Sequence, residues 1–132
     1  MSTKIRIIAL RMGERPQVEE IDAGLESMQR FVGGSVECVG LDSNGNRGTD
    51  LWCNEEGLFT CKPNRHVTLD WGYSQVIHGD MFIAAVTRSG RTASLTDKQV
   101  EKWLKLSAEW PRAITSLKDG EQPGDGELLL IM

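Results

Sequence analysis

Four side chains in this sequence are of the right types to hold a zinc ion: Cys53, Cys61, His66 and His78. Structural zinc sites bring ligands in close C-x2-4-C or H-x3-5-H pairs, because two ligands on one tight turn preorganise half of the tetrahedron. Here seven, four and eleven residues separate successive candidates, a spacing that suits thiols used as small apolar side chains better than a metal site. The stretch from Asp42, DSNGN, opens like a calcium loop with oxygen-bearing side chains at alternate positions. It then places Arg47 where the loop needs Gly and Cys53 where it needs a bidentate Glu, so a solvent-exposed turn is expected instead. No metal and no other cofactor is expected.

Glu55 and Glu56 offer paired carboxylates, but adjacent residues on an exposed turn project apart into water rather than toward one reacting atom. The sequence contains no nucleophile elbow, no phosphate loop and no Ser-His-Asp order, so no catalytic residue is assigned. Binding groups are easier to find. Arg65 presents a planar fork of donors suited either to backbone carbonyls or to an anionic ligand, and Arg88 and Arg91 face each other across the tight turn Arg88-Ser89-Gly90-Arg91. Together with Asn54, Asn64 and Asp80, these three arginines make up the candidate binding set.

The elements that must position them follow from pattern. Lys4 to Leu10, KIRIIAL, reads as a strand, and Val18 to Ile21 as a second strand that completes an opening hairpin. Leu25, Met28, Phe31 and Val32 recur at helical spacing before Gly33-Gly34, with Asp22 as the expected N-cap. Val36 to Leu41 is a strand. Leu51 to Cys61 is expected as a β-hairpin about a Glu55-Glu56-Gly57 loop, with Gly57 in the left-handed region and Leu51, Cys53, Phe59 and Cys61 facing the core. His66 to Leu69 extends the sheet, Asp70 to Gln75 is read as a loop, and Asp80 to Thr87 is a strand that forms a second hairpin with Thr92 to Ser94. Thr96, with Gln99 three residues on, begins a second helix in a capping box. That helix carries Val100, Trp103, Leu104, Leu106 and Trp110 on a broad apolar face, and Pro111 stops it.

These elements predict one α+β domain over residues 1–116: an antiparallel sheet of about five or six strands with two helices on one face, in the order β-β-α-β-β-β-β-α. Residues 117–132 read as a Gly- and Pro-rich tail with an apolar end, Leu128 to Met132, too short to span a bilayer and suited to docking as an edge strand on its own sheet, on a homodimer partner or on another protein. The 132 residues can bury roughly two-thirds of the surface of the unfolded chain. No apolar run is long enough for a membrane helix, and the start MSTKIRIIALRMGERP is too charged for a signal-peptide core. Three cysteines without close pairs fit reduced thiols in a cytoplasm. The net charge of -4 argues against broad nucleic-acid binding, which needs many cations on phosphates.

The motif order VEEIDAGLESMQRFVGG, SVECVGL, CNEEG, KPNR, HGDMFIAA and SLTDKQVEKWLKL resembles, over about residues 3 to 106, a family found in phages, plasmids and some bacteria and catalogued as a domain of unknown function. The resemblance implies a mobile-element accessory protein. With no catalytic constellation in view, the expected activity is non-enzymatic binding and inhibition of a host defence component. The alternatives are a small-ligand binder that sequesters an anionic nucleotide through Arg65, Arg88 or Arg91, and an enzyme of unrecognised type.

Overall fold

The computed structural model of the chain describes residues 3–42, 48–69, 74–114 and 127–129. Ten strands lie among them. β1 (Lys4–Leu10) and β2 (Gln17–Asp22) form the expected opening hairpin, followed by α1 (Leu25–Val32), β3 (Val36–Asp42) and β4 (Gly48–Asn54). A single helical turn, α2 (Gly57–Thr60), leads into β5 (Pro63–Thr68), β6 (Ser74–His78), β7 (Met81–Val86) and β8 (Thr92–Ala93). The chain then forms α3 (Asp97–Ala108), β9 (Arg112–Ile114) and β10 (Glu127–Leu129).

The fold is α+β and mainly antiparallel, as its patterning predicts, but the strands divide between two sheets. One has the order β2-β1-β7-β4-β3, with β8 also paired to β7; the other has the order β10-β9-β5-β6. β8 takes up the edge of β7 where β1 leaves it: Ile8 to Leu10 pair with Ile83 to Met81, while Ala93 and Thr92 pair with Ala85 and Val86. Of the C-terminal stretch, Glu127–Leu129 adds an edge strand, β10, paired in parallel with β9 on the chain's own second sheet, and residues 130–132 lie outside the described residues.

The two longer helices, expected on one face, lie on opposite faces of the first sheet. Ile5, Ile7 and Ala9 of β1, with Phe82 and Ala84 of β7, pack against Met28 and Val32 of α1. The alternate residues Ile8, Leu10, Met81 and Ile83 pack instead with Trp103 and Trp110 at α3 and with Val67 and Ile77 of the second sheet. β1 and β7 are apolar on both sides, and a sheet buried on both sides needs cover on both. The near-continuous runs KIRIIAL and MFIAAV carried that information in their lack of alternation.

α1 closes as expected on Gly33, which adopts φ 80° and donates its N–H to the Gln29 carbonyl. Its N-cap is Gly24 rather than Asp22, because Asp22 is still in β2, opposite Lys4 and salt-bridged to it at 3.0 Å. α3 starts as the sequence predicts. Gln99 donates its N–H to the Thr96 hydroxyl at 3.2 Å, and the Gln99 side chain accepts the Thr96 N–H at 2.8 Å. Thr96→Ala is therefore expected to destabilise the fold by about 1 kcal/mol, read as a lower urea midpoint with an unchanged slope.

The expected hairpin over Leu51 to Cys61 does not form. Leu51 and Cys53 are buried as predicted, but Phe59 is 86% exposed and Cys61 only partly covered. The reason lies in Asn54. Its Oδ1 accepts the Glu56 N–H at 2.8 Å, turning the chain directly after β4, and its Nδ2 donates to the Val32 carbonyl at 3.2 Å, tying that turn to the end of α1. Phe59 and Thr60 then donate to the Glu56 carbonyl and Cys61 to that of Gly57, so a helical turn replaces the returning strand. Gly57 is not left-handed. It is required because a Cβ there would stand 2.8 Å from the backbone oxygen of His78.

Candidate functional site

Asn64, Arg65 and Asp80, far apart in sequence, meet at the corner where β1 ends. Asn64 is 3% exposed, and its Nδ2 donates to the carbonyls of Leu10 at 2.9 Å and Gly79 at 2.8 Å. Its Oδ1 accepts from Arg65 Nη1 at 3.0 Å. Arg65, also 3% exposed, donates further to the carbonyls of Arg11 and Glu14, and the Asp80 carboxylate accepts the Met12 N–H at 2.8 Å. Three side chains thus hold the segment from Leu10 to Glu14 by its backbone. Gly79 has φ 82°, and a Cβ there would lie 2.9 Å from Cys61 Sγ, which makes glycine necessary on both counts.

The other candidates lie elsewhere. Asn54 performs its turn-forming role beside α1. Arg88 and Arg91 are exposed on the β7–β8 turn, at the end of β7 remote from Met81 and the Asn64 corner, so they cannot share one small ligand with Arg65. Of the zinc-type residues, His78 Nδ1 lies 3.0 Å from the Cys61 carbonyl oxygen, and Cys53 Sγ points to the Glu37 carbonyl at 3.7 Å. Burial, reinforced by the charge of Glu37, pushes the Cys53 thiol up to about 11. Cys38 is exposed on β3, and partial desolvation, followed by a hydrogen bond with Asp50, pushes its thiol upward. Both are protonated thiols at neutral pH and therefore poor nucleophiles.

Around Arg65 the structure brings in two residues that the sequence reading passed over. Arg15, from the β1–β2 loop, and Arg112, from β9, line with Arg65 a cavity of about 340 Å3 walled by Glu14, Ser107 and Trp110. Among the described residues, no carboxylate forms a salt bridge with any of the three guanidinium groups. Burial, and then repulsion from Arg112, pull the Arg65 pKa below the ordinary guanidinium value. Arg15 and Arg112 carry no local signal of this role, because only the meeting of a loop, β5 and β9 creates it.

A second surface feature surrounds α2. Leu58 is 66% and Phe59 86% exposed, on a turn held rigidly by Asn54 and by the contact of Gly57 with His78. Beside them a cavity of about 230 Å3 is lined by Glu37, Cys53, Glu55 and Ile77 as well as by the two apolar side chains.

Comparison with curated proteins and with solved structures returns no match. A family model described as a domain of unknown function (DUF3846) matches residues 5–108, from β1 to the last residue of α3, and thus spans the Asn54 turn and the Asn64–Arg65 and Gly79–Asp80 motifs. The chain belongs to that DUF3846 family.

Proposed function

We propose that this chain is a non-enzymatic accessory protein of a phage or plasmid, acting in the host cytoplasm by binding and inhibiting a host defence component. The observation that carries the binding reading is the exposure of Phe59. An aromatic side chain held outward on a braced turn leaves apolar surface in water and presents a rigid anchor of the kind that dominates protein interfaces. The polar motif residues support binding over catalysis, since Asn54, Asn64, Arg65 and Asp80 all hold backbone in place. The mobile-element origin rests on the resemblance of the motifs. Glu37, Glu55 and Glu56 are exposed around the anchor, so the partner surface that fits it is an apolar cleft rimmed by Lys and Arg.

The test compares capture from a host lysate by the wild-type chain and by Phe59→Ser. The expected result is one stoichiometric protein retained by the wild type and lost by the variant. The variant's stability should stay within about 0.5 kcal/mol of wild type, because nothing packs on an exposed ring. Equal capture by both chains would remove Phe59 from the interface, and an empty wild-type column would count against the reading as a whole.

A further inference from the structure

We propose that the cavity formed by Arg15, Arg65 and Arg112 is a binding site for a compact phosphate-bearing small molecule, separate from the α2 surface. Its lining shares no residue with the cavity beside α2. The three guanidinium groups come from three elements, with Arg65 at the buried floor and the exposed Arg15 and Arg112 at the rim. Arg65 is already hydrogen-bonded to carbonyls of the 11–14 segment and to Asn64, so its position is set before any ligand arrives. Such preorganisation reduces the entropy lost on binding.

Charge selects the ligand class. The lining holds three arginines and one glutamate, Glu14, a formal balance of +3 − 1 = +2 in a chain whose net charge is -4. The field of Glu14 is directed in part to Arg11, whose guanidinium it helps to keep charged behind the stronger hydrogen bond that Arg11 donates to Glu19. Arg65 and Arg112 are directly opposite one another on the paired strands β5 and β9 and repel each other, and a dianion bound against both would offset that repulsion. Guanidinium forks match the oxygens of a phosphate in pairs. The volume of about 340 Å3 falls at the small end of ligand pockets. Trp110, Ala108 and Pro16 supply an apolar wall for the organic body of a phosphomonoester.

Titration calorimetry on the full chain tests the assignment, with inorganic pyrophosphate and AMP as probes and succinate as a carboxylate comparator. The expected result is one saturable site for pyrophosphate or AMP with a Kd below about 1 mM. Arg112→Gln should weaken it at least tenfold, and Arg15→Gln by a smaller factor. Both rim variants should melt within about 2 °C of wild type, since exposed side chains away from the core contribute little to stability. Arg65→Lys keeps the charge and removes the fork, and is expected to weaken binding as well. Phe59→Ser should bind pyrophosphate unchanged, which separates this site from the protein-binding surface. The proposal is overturned if neither phosphate probe saturates below about 10 mM, if both rim variants bind as wild type, or if succinate binds as tightly as pyrophosphate.

Discussion

Arg65→Met is expected to lower the unfolding free energy by about 2–4 kcal/mol, a fall in melting temperature of roughly 10 °C for a domain of this size. The side chain is 3% exposed and donates to the Arg11 and Glu14 carbonyls and to Asn64 Oδ1. Methionine fills most of the volume but offers no donor. Removing the guanidinium leaves buried acceptors with fewer partners and frees the loop that carries Arg15 into the cavity. Some of the loss is offset because a desolvated charge disappears with the side chain, which keeps the estimate below that for breaking a buried ion pair. A thermal scan that found the variant within about 2 °C of wild type would show that the guanidinium braces nothing. Because this change unsettles the floor of the cavity, the outcomes that overturn the ligand assignment rest on the rim residues and not on Arg65.

Phe82→Ala is expected to be of similar or greater severity, about 3–5 kcal/mol. Phe82 is fully buried near the start of β7, edge-on to Phe31 of α1 at 5.1 Å between ring centroids and stacked with Trp52 of β4 at 6.5 Å. It therefore joins α1 to the sheet through its contact with Phe31, while Trp52 packs beside it on the neighbouring strand. Truncation would leave a cavity among Ala84, Met28 and Val32, and α1 would lose the contact of Phe31 with the buried ring. Chemical denaturation should show the loss as a lower midpoint. A loss under about 1 kcal/mol would mean that the α1 face collapses freely around the missing ring.

Expected effects at the surface run the other way. Phe59 and Arg112 touch ligands in the two proposals and should alter binding without altering stability. This division separates the residues that build the motifs from those that would use them. Asn54 and Asn64 make α2 and the Leu10–Glu14 segment stand where they do, and the exposed side chains carried by those segments are the ones free to meet a partner.

Much of the secondary structure was determined locally. The capping box at Thr96 and Gln99, the Gly33 stop of α1 and the two hairpins β1–β2 and β7–β8 each follow from short-range chemistry that acts before the chain is folded. The α+β class follows from them. The turn at Asn54 was less legible, because Asn-Glu-Glu-Gly serves a hairpin loop and an Asx turn equally well. The choice fell to two distant contacts: the Val32 carbonyl, which accepts from Asn54, and the His78 backbone, which leaves Gly57 no room for a side chain.

The division into two sheets, the placing of α1 and α3 on opposite faces and the convergence of Arg15, Arg65 and Arg112 were decided by tertiary structure. Each depends on residues tens of positions apart, and the spacing of residues along one element says nothing about which other element it meets. Arg65 shows the difference most plainly. Its type already fitted carbonyls or an anion, and only the folded corner made it a buried donor to the Arg11 and Glu14 backbone, paired across β5 and β9 with a second cation, Arg112, that lines the same cavity.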